Sequence, residues 1–383
     1  MSRSVLILGA GLGGVVAAEA LRKLLPAEDR VTVVDRAESH LFPPSLLWLM
    51  VGTRAAGDFS RPIARLAGRG IEVLRGEVTR IDPQAVAAEI DAKKISADAM
   101  VIALGAAYAP EAIPGLAEAG LSFYTLEGAA AIHAALEKFS GGRLVVLTAA
   151  PQYKCPAGPY EAALLAEDFL ARKGVRGSTE IDFYAAEPAP MVVAGPEMGR
   201  AVRGLIEGRG IRYHPEHQVA SVEAASRTLR FANGATAQFD LLLYVPPHRA
   251  PAPVREAGLT NELGWFPVDR HTLQTRFANV YAIGDVVSIP LKMGRPLPKA
   301  GVFAHGEAEV VAHNIAHAWT GKGAPRRFDG SGMCFIEAGG GRAGMGSGDF
   351  YAEPLPRITV RSPSVLWHAG KVLYEKYWLW SRF

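Results

Sequence analysis

The first 35 residues contain the pattern that most restricts the fold of this chain. Ser4–Leu8 is a short apolar run of the kind that forms a buried strand, and a glycine-rich loop from Gly9 to Gly14 (G-A-G-L-G-G) follows it directly. An alanine-rich helical stretch comes next, and a second apolar run ends at Asp35. Strand, glycine turn, helix, strand and acid in this order predict the first unit of a Rossmann-like α/β domain.

The glycines of this loop have separate predicted tasks. Gly9 permits the tight turn, Gly11 lets a pyrophosphate approach the backbone, and Gly14 lets the helix pack against the strand. The helix N-terminus then directs free N–H groups at the phosphates. Asp35 lies about 20 residues past the loop, where a carboxylate accepts hydrogen bonds from ribose hydroxyls. The pattern therefore predicts a dinucleotide site.

The frame of a second Rossmann-like unit lies further along the chain. Arg143–Leu147 reads as a buried strand and Glu161–Arg172 as a helix, but the turn between them is long and rich in proline. It lacks the closely spaced glycines that a pyrophosphate needs and contains Cys155 instead. After the next strand, only Glu187 could reach a ribose. These features disfavour NAD(P)H binding in this unit and predict a thiol in that space.

The chain has only two cysteines in 383 residues, too few for the disulfide framework of a secreted domain. The second, Cys334, precedes a glycine-rich run at residues 339–348, so both cysteines are expected beside turn-prone backbone. Free cysteines often serve only as small buried apolar groups. The place of Cys155 in a lost cofactor loop favours a reactive role instead. A net charge of +3 is too mild to indicate a nucleic-acid partner, though it suits an anionic lipid surface.

The C-terminal stretch Ser364–Phe383 reads as an amphipathic helix with an aromatic and basic fringe that includes His368 and Lys371. This pattern is typical of a helix lying in a membrane interface. The alternative is a helix docked on the protein's own core. No run of 18 or more apolar residues occurs, so no segment is expected to span a bilayer. The N-terminus lacks a basic leader and a cleavage site, so no signal peptide is predicted.

Further motifs resemble those of FAD-binding domains in flavoproteins that have two nucleotide-binding domains. Asn279–Asp285 (N-V-Y-A-I-G-D) resembles the signature in which an aspartate contacts the ribitol, and Ala103-Leu104-Gly105 resembles the crossover motif. The resemblance implies FAD as the cofactor. The cofactor contacts it implies are Gly9, Gly11, Gly14, Asp35, Gly105, Gly284, Asp285, Lys299, Ala300 and Gly301.

From residue 1 to about residue 380, the chain resembles the sulfide:quinone oxidoreductases and the flavoprotein subunit of flavocytochrome c sulfide dehydrogenase. Cys155–Glu161 (C-P-A-G-P-Y-E) matches the cysteine motif of both groups. The resemblance implies a redox-active pair of Cys155 and Cys334, with Glu161 as acid or base, that oxidises sulfide or a related sulfur species to polysulfide or zero-valent sulfur. Lys154 or Lys299 would stabilise a thiolate or the reduced cofactor. Flavocytochrome subunits carry a cysteine linked to FAD after the second strand; this chain has none there, which implies noncovalent FAD.

The C-terminal tail and the lack of a third cysteine refine this expectation. Tyr374–Trp378 resembles the tail motif of sulfide:quinone oxidoreductases, which implies a quinone beside Tyr377 and Tyr374 and a peripheral, monotopic enzyme on the cytoplasmic side of the membrane. Many of these enzymes have a third cysteine and histidines upstream of the second unit. Here that region offers only His133.

Together the motifs predict an α/β protein of two Rossmann-like domains, the second inserted in the first. Residues 1–114 and 241–321 form the FAD-binding domain, residues 115–240 the domain carrying Cys155, and residues 322–383 a segment with Cys334 and the amphipathic helix. His313 and His317 have i, i+4 spacing but no third ligand, so no metal site is predicted. Two alternative functions stay open: a type II NADH:quinone oxidoreductase and a flavoprotein subunit that reduces a cytochrome. The oligomeric state also stays open, with a homo-oligomer as one form.

Overall fold

The structure is a computed structural model that describes residues 2–383. Up to residue 113 its strands and α-helices are β1 (Ser4–Leu8), α1 (Leu12–Leu24), β2 (Arg30–Asp35), β3 (Ser39–Leu41), α2 (Leu46–Met50), β4 (Ser60–Pro62), β5 (Glu72–Arg75), β6 (Val78–Asp82), β7 (Ala87–Ile90), β8 (Lys93–Ser96), β9 (Ala99–Ile102) and β10 (Ala107–Tyr108). From residue 114 to 245 they are α3 (Leu116–Ala119), β11 (Leu121–Ser122), α4 (Leu126–Lys138), β12 (Gly142–Thr148), α5 (Gly158–Arg172), β13 (Thr179–Ala185), α6 (Pro196–Glu207), β14 (Ile211–His214), β15 (Val219–Glu223), β16 (Thr228–Phe231), β17 (Thr236–Gln238) and β18 (Leu241–Val245). The remaining elements are β19 (His248–Arg249), α7 (Ala252–Glu256), β20 (Phe266–Pro267), β21 (Val280–Ala282), β22 (Val287–Ser288), α8 (Gly301–Thr320), β23 (Ser331–Glu337), β24 (Ala343–Asp349), β25 (Arg357–Ser364) and α9 (Val365–Arg382).

The first unit is built on a five-stranded sheet in the order β21-β9-β1-β2-β5, and every pair in it is parallel. β9 is buried along its whole length and β1 from Val5 onward, as expected for parallel strands covered on both faces. Since parallel strands end at the same edge, the loops that follow β1, β2, β9 and β21 meet there. That edge brings together the glycine loop, Asp35, Gly105 and Asp285.

The second unit repeats this arrangement with a parallel sheet in the order β11-β18-β12-β13-β14. The loop with Cys155 follows β12, and Glu187 follows β13, so both lie at the carboxyl edge of this second sheet. β18 covers the expected domain boundary at residue 241, yet it pairs with β11 and β12. The second sheet therefore extends to Val245, and the chain returns to the first unit only after it.

The C-terminal segment forms an antiparallel sheet of β23, β24 and β25, on which α9 follows directly. Cys334 was expected beside flexible glycine-rich backbone, and this expectation was wrong. It lies in the middle of β23, opposite Gly346 in β24. Only the turn at residues 339–341 has the left-handed glycines of a hairpin connection. The end of the Met198 side chain occupies the space beside Gly346, so a side chain there would require Met198 to move.

The amphipathic helix is present as α9, and its two faces differ sharply. Trp378 and Leu379 are buried against the protein. The opposite face leaves Leu366, Leu373 and Trp380 exposed at 81%, 67% and 79% of their surface. Docking on the protein and an unpartnered apolar face are thus properties of the same helix. Among residues 2–383 no helix is both long and apolar enough to cross a bilayer.

Candidate functional site

A single cavity of about 1320 Å³ lies where the two Rossmann-like units and the C-terminal segment meet. Its wall includes Gly11 of the first unit, Cys155 of the second, Cys334 of β23 and Tyr374 of α9. Of the residues that the sequence predicts for the site, only Gly14 and Tyr377 do not line the cavity. The structure therefore gathers residues from four distant parts of the chain around one space. The predicted residues that line it are Gly9, Gly11, Asp35, Gly105, Cys155, Glu161, Gly284, Asp285, Lys299, Ala300, Gly301, Cys334 and Tyr374.

The glycine loop has the geometry of a pyrophosphate cradle. Gly9 has a φ of +103°, which only glycine adopts readily. A Cβ on Gly14 would collide with the carbonyl oxygen of Gly9, so Gly14 serves the packing of α1 on β1 and does not face the cavity. By contrast, no protein atom lies within 4 Å of the Cβ position of Gly11, which precedes the N-terminus of α1. This open, amide-rich space fits the phosphates of a dinucleotide.

Asp35 is held at the cavity wall by the backbone. Its Oδ2 accepts a hydrogen bond of 2.7 Å from the N–H of Ala10, and its Oδ1 accepts one of 2.8 Å from Ala37. Each carboxylate oxygen has more than one acceptor position. The side chain is therefore fixed while it still has capacity for the hydroxyls of a ribose.

Asp285 and Lys299 form the opposite wall. The Lys299 Nζ donates hydrogen bonds to the carbonyl oxygens of Asp285 (2.7 Å) and Val287 (2.8 Å) and lies 3.5 Å from the centre of the Trp265 ring. Burial lowers the pKa of Lys299 to about 8, although the nearby carboxylates oppose this. The ammonium group thus fastens the loop that carries Asp285 to the start of α8.

Glu307 lies behind this wall, outside the cavity lining, and sequence reasoning missed it. It is buried in α8, and its Oε2 accepts a hydrogen bond of 2.6 Å from the N–H of Gly284. Burial raises the pKa of Glu307 to about 8. A glutamate in the middle of an otherwise apolar helix face was the available signal, but the carboxyl group could not be matched to a partner without the fold.

Cys155 is held in an unusual backbone conformation. Its φ is +52°, in the left-handed region that non-glycine residues seldom occupy. Its N–H donates a hydrogen bond of 2.7 Å to the carbonyl oxygen of Lys299, and the Tyr124 hydroxyl donates one of 2.7 Å to the carbonyl oxygen of Lys154. These bonds tie the cysteine loop to the cofactor-side loop before α8 and to the body of the second unit.

Both cysteines are free thiols that are partly exposed to the cavity. Burial raises the pKa of Cys155 to about 12; the charge of Glu161 adds to this, and that of Lys371 opposes it. The pKa of Cys334 is raised further, first by burial and then by the charges of Cys155 and Glu161. The charge of Lys371 favours the thiolate of both cysteines.

A buried network of charged side chains lies behind the cysteines. The Lys371 Nζ donates a hydrogen bond of 2.5 Å to Glu161 Oε1 and lies 3.8 Å from Glu337 Oε1. The backbone N–H of Glu337 donates to the same Glu161 oxygen at 2.9 Å, and the His368 Nδ1 lies 3.0 Å from Glu337 Oε2. Burial acts to lower the pKa of Lys371, but the two carboxylates outweigh it and the pKa lies above its usual value. Glu161 is thus an inward-facing carboxylate paired with a buried cation.

The sequence interpretation of α9 missed this network. Lys371 and His368 were expected on a solvent-facing or lipid-facing fringe, and for Lys371 this was wrong because the residue is 5% exposed. The spacing of residues 368, 371, 375 and 378 places all four on one face of a helix. Since that face includes the buried Trp378, the pattern carried a signal for inward-facing charge that was not used.

The tail aromatics divide between the two faces of α9. Tyr374 lines the cavity, with its ring edge-on to Phe42 at a centroid distance of 5.9 Å. Tyr377 is 59% exposed and lies outside the cavity lining. Trp378 donates a hydrogen bond of 3.1 Å from its indole Nε1 to His40 Nε2, and the Nδ1 of His40 lies 2.9 Å from the carbonyl oxygen of Ala10 in the glycine loop. α9 is therefore connected to the cofactor cradle through a single imidazole.

Three further residues named in the sequence analysis have well-defined contacts in the structure. Glu187 lines the cavity and accepts a hydrogen bond of 2.7 Å from the Thr148 hydroxyl, so it faces the space where a second nucleotide would lie in a complete Rossmann unit. His313 and His317 each make a contact with a backbone carbonyl of their own neighbourhood. Among residues 2–383 no cluster of three or more potential metal-binding side chains occurs.

Comparison with known proteins agrees with this arrangement. Residues 3–315 match the family described as pyridine nucleotide-disulphide oxidoreductase. A sulfide-quinone reductase of Aquifex aeolicus is 29% identical over 99% of this chain and 91% of its own length. A mitochondrial sulfide:quinone oxidoreductase of Mus musculus is 24% identical over 92% of this chain and 79% of its own length.

The fold has a solved counterpart. The X-ray structure of the sulfide:quinone oxidoreductase from Aquifex aeolicus superposes with a TM-score of 0.90 at 27% sequence identity, and the match covers 100% of this chain and 91% of that one. The expected resemblance and the predicted class of two-domain α/β fold are both confirmed.

Proposed function

The chain belongs to the pyridine nucleotide-disulphide oxidoreductase family, and from this premise we propose that it is a flavin-dependent enzyme that oxidises sulfide and passes the electrons to a quinone. One observation carries the proposal: a single cavity contains the dinucleotide cradle, both cysteines and an aromatic side chain of the tail helix. A reaction that moves electrons from sulfur through a cofactor to a lipid-borne acceptor needs these three parts side by side.

FAD is the cofactor that the cavity residues fit, and when bound it accepts two electrons from a sulfur donor and releases them to an acceptor. The open space at Gly11 and the amides of α1 would hold the pyrophosphate, Asp35 a ribose, and Asp285 the ribitol. Neither cysteine lies in the segment that follows β2 and β3, so we propose that FAD is held noncovalently. Unfolding the protein in acid should release free FAD into the supernatant.

The sulfur step uses the two cysteines as a pair. In the oxidised enzyme, Cys155 and Cys334 would form a disulfide. Hydrosulfide attacks one sulfur, a new S–S bond forms, the bond between the cysteines breaks, and the second cysteine leaves as a thiolate. The persulfide and this thiolate then join through a new S–S bond into a sulfur chain that bridges the two cysteines, and the two electrons released would be taken up by a flavin held beside them. Repetition would lengthen the bound sulfur chain, which leaves as polysulfide or zero-valent sulfur.

Glu161 and Lys371 provide what the buried sulfurs lack. Burial and the Glu161 charge hold the pKa of Cys155 at about 12, so a thiolate formed there is short of stabilisation. Lys371 favours the thiolate of both cysteines by its charge. Glu161 is the carboxylate whose charge acts on both sulfurs, and it can accept the proton that the incoming sulfide gives up. We propose Glu161 as the base and Lys371 as the cation that stabilises the thiolate.

The tail helix α9 supports a quinone as the electron acceptor. Tyr374 lines the cavity on the side of the tail helix, and the opposite face of that helix is apolar and exposed. We propose that this face lies in the membrane interface, on the cytoplasmic side, and that a quinone enters beside Tyr374, with Tyr377 at the mouth. A cytochrome acceptor would not need the exposed aliphatic and indole side chains.

The test is an anaerobic titration of the flavin-loaded protein with sulfide and, separately, with NADH, following the flavin absorption band. Sulfide should bleach the band, and the bleaching should be lost in Cys155→Ser and in Cys334→Ser. Ser331→Ala, at an exposed position of the same strand as Cys334, is the control and should behave as wild type. Bleaching by NADH and not by sulfide would refute the proposal in favour of a pyridine-nucleotide dehydrogenase. Reoxidation of the reduced protein by quinone, but not by cytochrome c, should identify the acceptor.

A further inference from the structure

The buried pair of Glu161 and Lys371 is connected to the protein surface by two further side chains. The side-chain exposure is 3% for Glu161 and 7% for Lys371, falls to 1% at Glu337, and rises to 30% at His368. The contacts between successive groups are 2.5, 3.8 and 3.0 Å. Titratable groups thus follow one another from the cysteine site to a partly exposed imidazole, and one step, from Glu337 to Lys371, is longer than a hydrogen bond.

The proposed reaction requires such a connection. Oxidation of HS⁻ to zero-valent sulfur releases two electrons and one proton, and reduction of a quinone to quinol takes up two electrons and two protons. The proton from the sulfide can be retained by the buried network and delivered to the quinone. One more proton per turnover must enter from water, because no other step supplies it.

We propose that His368 and Glu337 form the route by which this proton enters, which rests on the function proposed above. His368 Nδ1 contacts both oxygens of Glu337, at 3.1 and 3.0 Å, and Nε2 has no hydrogen-bond partner among residues 2–383. An imidazole in this position accepts a proton at Nε2 from water and donates the one at Nδ1 to the carboxylate. Glu337 then passes it through Lys371 toward Glu161. His368 and Glu337 act through these residues and do not touch the reacting sulfurs.

The surroundings of His368 contain one carboxylate, two cations and one aromatic ring. Glu337 on β23 contacts the imidazole directly, and Lys371, one turn further along α9, lies behind Glu337. From α2 the Trp48 ring meets it edge-on at a centroid distance of 6.1 Å, and Arg54 stacks on that ring at 4.6 Å.

A neighbouring carboxylate shows why this route is distinct. Glu375, one turn further along α9, is also buried, but it is closed by Arg54 and by the hydroxyl of Ser45. An arginine keeps its proton at any physiological pH. Glu375 therefore holds the helix in place. Glu337, in contrast, contacts His368, whose imidazole can exchange protons with water.

The test separates the two half-reactions of the flavin-loaded enzyme with His368→Gln and His368→Ala. His368→Gln retains a hydrogen-bond donor for Glu337 but cannot relay a proton. Reduction of the flavin by sulfide needs no proton from water, because the sulfide supplies one, and its rate should stay within about twofold of wild type. Reoxidation by a soluble quinone at pH 8 takes up the proton from water and should slow by about tenfold or more, within the range for lost proton transfer. The loss should deepen as pH rises, because protons in water become scarcer. Added imidazole should restore His368→Ala but not His368→Gln.

His317→Gln, on α8 and outside the network, is the matched control and should leave both half-reactions unchanged. Flavin content and the thermal unfolding midpoint check that each variant is folded. Quinone reoxidation at wild-type rate in both His368 variants would overturn the inference, as would a loss that is the same at every pH and insensitive to imidazole, since that is the signature of a structural role. If the wild-type flavin is not reduced by sulfide at all, the proposed function fails, and this inference fails with it; reduction with no effect of His368 removes the inference alone.

Discussion

Glu375 on α9 is paired with two cations of very different burial, and this allows a sharp test of what docks the helix. The carboxylate is fully buried and accepts hydrogen bonds from Arg54 Nε and Nη2 at 3.0 and 2.9 Å and from the Ser45 hydroxyl at 2.6 Å. Lys376 lies 3.8 Å from the same carboxylate, with 57% of its side chain exposed. Arg54 is only 18% exposed. Removing each cation should therefore have unequal effects.

Arg54→Met would leave a buried carboxylate without its main partner. Breaking a buried ion pair on one side costs about 3–5 kcal/mol, and the partial exposure of Arg54 places the expected loss near 3 kcal/mol. At 1.36 kcal/mol per factor of ten, this raises the population of undocked or unfolded molecules by roughly 150-fold. Lys376→Met, the matched control on the same carboxylate, should cost less than about 1 kcal/mol, because exposed pairs contribute little.

The assay is urea unfolding followed by tryptophan fluorescence, combined with limited proteolysis of the native protein, since α9 carries three of the six tryptophans. Arg54→Met should shift the fluorescence transition to lower urea and make the tail sensitive to protease. The double variant Arg54→Met, Glu375→Leu should recover much of the loss, because no buried charge is left unpaired. Equal midpoints for Arg54→Met and Lys376→Met would refute the reasoning and mean that packing of the apolar residues alone docks the helix.

Three other predictions concern the site and its surroundings. Lys371→Met removes the charge that lowers the pKa of both thiols, so alkylation of the reduced protein by iodoacetamide should require higher pH than in wild type; an unchanged pH profile would contradict the assigned role. Gly14→Ala should prevent folding because its Cβ meets the Gly9 carbonyl oxygen, whereas Gly11→Ala should fold and bind FAD more weakly, as measured by flavin retention on desalting. Burial lowers the pKa of His40, and that of His248 to about 3, so the unfolded chain binds more protons below pH 6.5. Stability to urea should therefore fall as pH drops from 6.5 toward 5, and less so in the His40→Asn, His248→Asn double variant.

The parts of the structure that sequence could predict are those whose determinants are local. The strand–glycine–helix unit at the N-terminus depends on residues that are neighbours along the chain, and β1 has the predicted bounds. α5 begins three residues before the predicted start, because Pro159 suits the first turn of a helix. Because parallel strands end at the same edge of a sheet, the loops with Asp35, Asp285 and Cys155 can be assigned to sheet edges from the order of the strands alone.

The parts that sequence could not predict depend on pairing across the fold. Lys371 meets Glu161 across 210 residues of chain, and neither residue type indicates its partner. β24 contains three glycines and has little intrinsic preference for a strand, yet it lies between β23 and β25 and is formed by their hydrogen bonds. Leu241–Val245 has the same apolar pattern as any buried strand, so only the sheet it joins decides the domain to which it belongs.

The left-handed backbone of Cys155 sets chemistry against stability at one position. A side chain at a φ of +52° costs about 1–2 kcal/mol relative to glycine, and the loop accepts that cost to direct a sulfur at the cavity. Cys155→Gly should therefore be inactive and yet more resistant to unfolding than Cys155→Ser, which keeps the strain and loses the sulfur. Under the proposed function, this position exchanges conformational stability for a thiol that faces the cavity.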